Sequence, residues 1–213
     1  MLYVLILKLL SYYITFKKCL NSIILILKDE LSFFPNQINK FEDELRKEYG
    51  KDFYILTLSN ATIGLTHAYN IFKSSKNCDR ALINPIVIPS NYVGALHCGY
   101  ELVTVNLDEK TLNFNLNELE KQKNNFDLIC VTHYFGYTCD MKLLKNWCSA
   151  NKKYLIEDCS HCHGGEFSGR KLGTFGEVSV FSLQGSKFIS GGEGAYIITK
   201  NKKYFLELCK SIY

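Results

Sequence analysis

From Phe41 onward the chain alternates short apolar runs with amphipathic ones, and this alternation restricts its fold more than any other feature. "FEDELRKEYG" sets Phe41, Leu45 and Tyr49 on one helical face and closes on Gly50, as an amphipathic helix with a glycine after its last turn should. "FYILTLSN" reads as a strand whose end, "SNAT", opens a helix over "TIGLTHAYNIFKS". Further strands are expected at "ALINPIVIP", "ELVTVNL", "FDLICVTHY", "KYLIED", "VSVFSL" and "GAYIIT", with helices over "LNELEKQ" and "CDMKLLKNWCSANK" and another in "YFLELCKSIY". Strands that alternate with helices build a three-layer α/β/α domain around a mostly parallel sheet, and such sheets take ligands beyond the carboxyl ends of their strands. Polar residues at strand ends are therefore the candidates for function.

Composition narrows the classes. With 47% apolar and 22% charged residues in 213, the chain can bury a sizeable core. A net charge of +4, with lysines spread along the chain, offers no basic stripe for nucleic acid. Nine cysteines without regular spacing fit reduced thiols in the cytoplasm better than a disulfide framework. Residues 1–30 form an apolar extension ahead of a domain over 31–213, but Lys8, Lys17, Lys18 and Lys28 cut its apolar runs below the roughly 18 residues of a spanning helix. The extension also lacks the charged start and small-residue cleavage site of a signal peptide. It reads as a helix that docks on the protein or a partner chain, or as an attachment to a membrane surface.

"IEDCSHCHGG" can be read in several ways. Cys159, Cys162 and His163 stand in a C-x-x-C-H arrangement, the pattern of covalent haem attachment, and could also begin a zinc site. Alternatively Asp158, at the end of the strand "KYLIED", is a buried carboxylate that needs a hydrogen-bonding or cationic partner, or merely a cap for the next turn. The other strand ends weigh on that choice. "SNAT" puts Ser59 to Thr62 at a helix start, which is either an ordinary cap or a phosphate site. "FSLQGSK" offers Ser182, Ser186 and Lys187 before the glycine-rich "SGGEGA", and a lysine desolvated in a nearly charge-free stretch is the type that forms Schiff bases. Tyr92, in "IPSNYVG", could stack on an aromatic ring or belong to the core. A lysine for an aldehyde, an aspartate for a pyridine nitrogen, an aromatic face and a phosphate cup together specify pyridoxal 5'-phosphate.

The order and wording of "FEDELRKEYG", "LSNATIGLTHA", "VTHYFGYTCDM", "IEDCSHCHGG", "GRKLGTFGEVSVFSLQGSK" and "GGEGAYIIT" resemble the sugar aminotransferases of the DegT/DnrJ/EryC1/StrS family, within the aspartate-aminotransferase-like fold. The resemblance implies that Lys187 holds the cofactor's aldehyde and Asp158 its pyridine nitrogen. His161 would lie by the 3-oxygen, Ser182 with the backbone of Ala61 and Thr62 would bind phosphate, and Tyr92 would face the ring. It further implies an amino donor such as glutamate, a nucleotide-linked keto sugar as acceptor, and a homodimer. Family members continue into a smaller C-terminal domain, which this chain is expected to lack; a companion chain could supply it. Ala61 and Ala195 stand where the family has glycine, a replacement that requires negative φ at both.

Overall fold

The structure is a computed structural model that describes residues 35–212. The extension expected over residues 1–30 lies outside the described residues, so neither its docking nor its membrane contact is addressed. The described residues fall into two units, with the boundary between Asp43 and Glu44. Helix α1 (Pro35–Tyr49) opens the described part. There follow β1 (Tyr54–Leu58), α2 (Ala61–Lys76), β2 (Arg80–Ile83), α3 (Pro89–His97), β3 (Glu101–Val103), the short strands β4 (Leu107–Asp108) and β5 (Asn113–Phe114), and α4 (Leu116–Gln122). The remaining elements are β6 (Leu128–Thr132), α5 (Met141–Ala150), β7 (Tyr154–Asp158), the pair β8 (Glu166–Phe167) and β9 (Arg170–Lys171), β10 (Val178–Ser182), β11 (Ala195–Thr199) and α6 (Lys202–Ile212).

Seven strands form one sheet in the order β1-β11-β10-β7-β6-β2-β3. β11 runs antiparallel to both of its neighbours, and every other pairing is parallel. All seven are the strands expected from the apolar runs. β6, β10 and β11 are buried at every position, as strands covered on both faces must be. On one face Cys130, Ile156, Val178, Val180 and Ile197 pack with Leu65, Ala68 and Phe72 of α2, Ala95 of α3, and Tyr204 and Leu208 of α6. α2 lies close against this face because Gly64 leaves room: a Cβ there would sit 2.8 Å from Val180 Cγ1. Alternate residues point to the other face, where Leu155 and Glu157 of β7 are buried on the side covered by α5, and Phe181 stacks on Tyr196.

Two readings are corrected. "ALINPIVIP" is a strand only through Ile83, since Pro85 has no N–H for the ladder and Asn84 instead turns the chain, its Oδ1 accepting from Ile86 N at 2.8 Å. The segment after it, which carries Tyr92 and belongs to no element expected from the sequence, is helix α3, with Pro89 at its first turn. The hairpins β4–β5 and β8–β9, with two residues per strand, are too short to show a period in sequence.

Candidate active site

The parallel register brings the strand ends together: Thr132 at the end of β6 pairs with Asp158 at the end of β7, and Asp158 pairs with Val180, two residues before Ser182 at the end of β10. A cavity of about 400 Å³ opens there, and its walls include Ala61, Thr62, Asp158, His161, Ser182 and Lys187. Six of the seven residues singled out by sequence therefore share one cavity. Tyr92 does not line it; its ring packs against the core cluster, because α3 turns the neighbouring Asn91 inward toward the strand ends.

Lys187 follows a turn after β10 in which its own N–H donates to Gln184 O at 2.9 Å. Its Nζ lies 2.6 Å from His161 Nε2. Burial pushes both groups below their ordinary pKa values; the lysine's charge depresses His161 further, while the Asp158 carboxylate opposes the shift at Lys187. His161 is therefore the neutral acceptor and Lys187 the donor, and a lysine of depressed pKa is more often a free amine. The desolvation comes from the cavity walls, not from Phe188, which is 71% exposed. Tyr134 and Phe135 flank the His161 ring with centroids 5.4 and 5.0 Å away, and Tyr134 lines the cavity as its aromatic wall.

Asp158 is 6% exposed, with Oδ1 accepting from Ser160 N and Oδ2 from Asn91 Nδ2, each at 3.1 Å. Across the cavity, Asn60 caps α2 by accepting from Ile63 N at 2.9 Å, and Ala61 and Thr62, in the first turn where helix amides have no intrahelical partner, line the cavity. Neither Ala61 nor Ala195 has positive φ: Ala61 begins a helix and Ala195 begins an extended strand, so the alanines are accommodated without strain. Asn91 and Thr132 were missed by sequence reasoning, although a Pro-Ser-Asn start signals a helix whose third residue could point inward.

The donors of the C-x-x-C-H stretch do not gather on one point. Among the described residues, the set of three metal-type donors with ligating atoms within 4.8 Å of one another is His133, Glu157 and Cys159. Both imidazole nitrogens of His133 are engaged, with Thr138 Oγ1 at 2.8 Å and Glu157 Oε2 at 3.0 Å.

The residues present fit a cofactor with an aldehyde, a basic ring nitrogen and a phosphate. A half-buried amine and a buried carboxylate share one cavity, and His161 Nδ1 is buried there with no partner. Fold and cavity have the form found in pyridoxal-phosphate-dependent transferases, a mostly parallel sheet with the polar residues gathered at its strand ends. The chain belongs to the DegT/DnrJ/EryC1/StrS aminotransferase family, whose model matches residues 19–210. It is 28% identical over 171 residues to GDP-perosamine synthase of Escherichia coli O157:H7, which covers 80% of this chain and 46% of that protein. In fold it is similar to a DegT DnrJ EryC1 StrS aminotransferase from Brucella abortus (TM-score 0.82, 17% identity, 95% of this chain and 57% of that one). It also resembles the E. coli GDP-4-keto-6-deoxy-D-mannose-3-dehydratase solved with bound hydrated PLP (TM-score 0.73, 19% identity, 85% and 49%). The chain spans about half the length of the curated relatives it matches.

Proposed function

We propose that this chain carries the pyridoxal 5'-phosphate site of a sugar aminotransferase, which moves an amino group from a donor such as glutamate to the ketone of a nucleotide-linked deoxysugar used in cell-surface glycan synthesis. The observation that carries this reading is the convergence of Lys187 and Asp158 on one cavity, with Ser182 and the start of α2 on its wall. The relative named for GDP-perosamine synthesis supports the sugar class.

Bound pyridoxal phosphate supplies the aldehyde that takes up the amino group and the electron-withdrawing ring that eases proton removal. Lys187 Nζ would anchor that aldehyde and, its pKa lowered by burial, would take a proton from the substrate carbon and return it. The Asp158 carboxylate would hold the proton of the ring nitrogen, and His161, its pKa lowered by burial, would lie by the ring oxygen. The hydroxyl of Ser182 and the Ala61 and Thr62 amides hold the phosphate. Lysine rather than histidine at position 187 favours transamination over dehydration. The working form is a cytoplasmic homodimer, a location with which the free thiols of the described cysteines agree.

Titration with pyridoxal phosphate, followed by glutamate and nucleotide-linked keto sugars with product detection by mass spectrometry, tests the reading. The parent chain should develop visible cofactor absorbance and Lys187→Ala should lose it together with turnover; a Lys187→Ala protein that still transaminates would exclude the assignment.

A further inference from the structure

We propose that Asn91 is a positioning residue: its side-chain amide, oriented by Tyr69, fixes the Asp158 carboxylate with a neutral hydrogen bond and leaves its open side to the bound pyridine ring. The inference rests on the cofactor reading above and adds a residue to it.

Asn91 is 1% exposed and projects from α3 into the space beneath the cavity floor. Its Nδ2 donates to Asp158 Oδ2 at 3.1 Å and lies 3.3 Å from both Thr132 Oγ1 and Cys130 Sγ. Its Oδ1 accepts from Tyr69 Oη at 2.6 Å. Tyr69 is fully buried, and burial pushes its pKa well up, so its hydroxyl keeps its proton and remains a donor. A donor fixed on Oδ1 leaves only the NH₂ group to face Asp158, so the amide cannot turn its oxygen toward the carboxylate without placing two acceptors together. Tyr69 is itself tied down, its carbonyl accepting from Tyr100 Oη at 3.1 Å. The chain of contacts thus runs from the α2–α3 core to the carboxylate.

The kind of partner matters as much as its presence. A buried carboxylate must be hydrogen-bonded or paired. Had a lysine or arginine met Asp158, the ion pair would have satisfied its charge and competed with a protonated ring nitrogen. Instead each carboxylate oxygen receives a neutral N–H, from Asn91 and from the Ser160 backbone, and the nearby lysine is turned to His161. Neutral donors orient the carboxylate without forming an ion pair with it, so its open side is left for a cationic ligand atom.

The test uses the 213-residue chain and pyridoxal phosphate as probe, with the dissociation constant and the pH midpoint of the cofactor's absorbance change as readouts. Asn91→Leu should weaken binding about tenfold and move the midpoint to lower pH, because a less firmly oriented Asp158 holds the ring proton less well; Tyr69→Phe should act in the same direction, by about threefold. A cofactor-independent readout is the stability cycle of Asn91→Leu with Asp158→Asn, where the two changes together should cost less than their sum. If Asn91→Leu alone does not fold, Asn91→Leu combined with Tyr69→Phe removes both polar partners and is measured instead. Parental affinity and midpoint in the Asn91 variant, alongside a loss of tenfold or more in Asp158→Asn, would overturn the role of Asn91 and leave the site reading intact. Additivity in the stability cycle would overturn it too. If Lys187→Ala and Asp158→Asn both bind as the parent does, the site reading itself fails.

Discussion

Glu157 and Asp158 are consecutive residues of β7, yet they serve two regions with opposite demands. Side chains alternate across a strand, so Glu157 points to the face carrying His133 and Asp158 to the cavity. Glu157 is saturated: it accepts from His133 Nε2 at 3.0 Å, from the amides of Gly173 at 2.8 Å and Phe175 at 2.7 Å, and from Gly176 and Ser179. The loop at 173–176 can wrap it so closely because Gly173 adopts φ +89°, and a Cβ there would lie 2.3 Å from the Phe181 ring. Burial would push the Glu157 carboxyl up, but His133 and the surrounding amides outweigh it and hold its pKa below the ordinary value. Asp158 has one neutral donor per oxygen and an open side. One carboxylate holds a loop and the other faces an open cavity.

The comparison breaks most readily at Glu157. Glu157→Ala leaves His133 and three backbone amides without their acceptor, and removal of one partner from a buried charged network costs about 3–5 kcal/mol; urea unfolding should show that loss. Asp158→Asn should leave urea stability within about 1 kcal/mol but weaken pyridoxal phosphate binding roughly tenfold to a hundredfold, the worth of one charge-assisted contact. Equal stability losses in the two variants would erase the distinction.

Acid separates the regions by a smaller margin. Glu157 titrates lower in the folded than in the unfolded chain, so its contribution is present above its ordinary pKa of 4.5 and is lost as pH falls through its folded value. His163, packed against Phe181 and Tyr196, is pushed down to about 4 by burial and by the charge of Lys187. Between its ordinary 6.5 and about 4 the unfolded chain binds a proton that the folded one does not, so stability falls with pH across that window. His163→Phe should flatten the decline between pH 6.5 and 4.5 in urea melts, and Glu157→Gln should flatten only the part below about 4.5. The smallest effect is expected at Tyr92. Tyr92→Leu should cost about 1 kcal/mol of packing and leave cofactor affinity unchanged; a tenfold loss of affinity would return Tyr92 to the site.

The sequence by itself determined the seven strands of the sheet, since continuous apolar runs such as "LICVT" and "AYIIT" are what a strand buried on both faces requires. It also determined most of the cavity wall, because ligand-facing residues of a parallel sheet lie at strand ends, where Asp158 and Ser182 stand in plain view. Tertiary structure decided what depends on neighbours distant in the chain. Asn91 and Tyr92 are adjacent polar and aromatic residues in one short stretch, and only the seating of α3 against α2 shows which of them meets the carboxylate 67 positions away. Likewise "IED" displays two carboxylates without saying which is free. That depended on a glycine loop at 173–176 folding back on Glu157, a long-range closure for which local periodicity carries no signal.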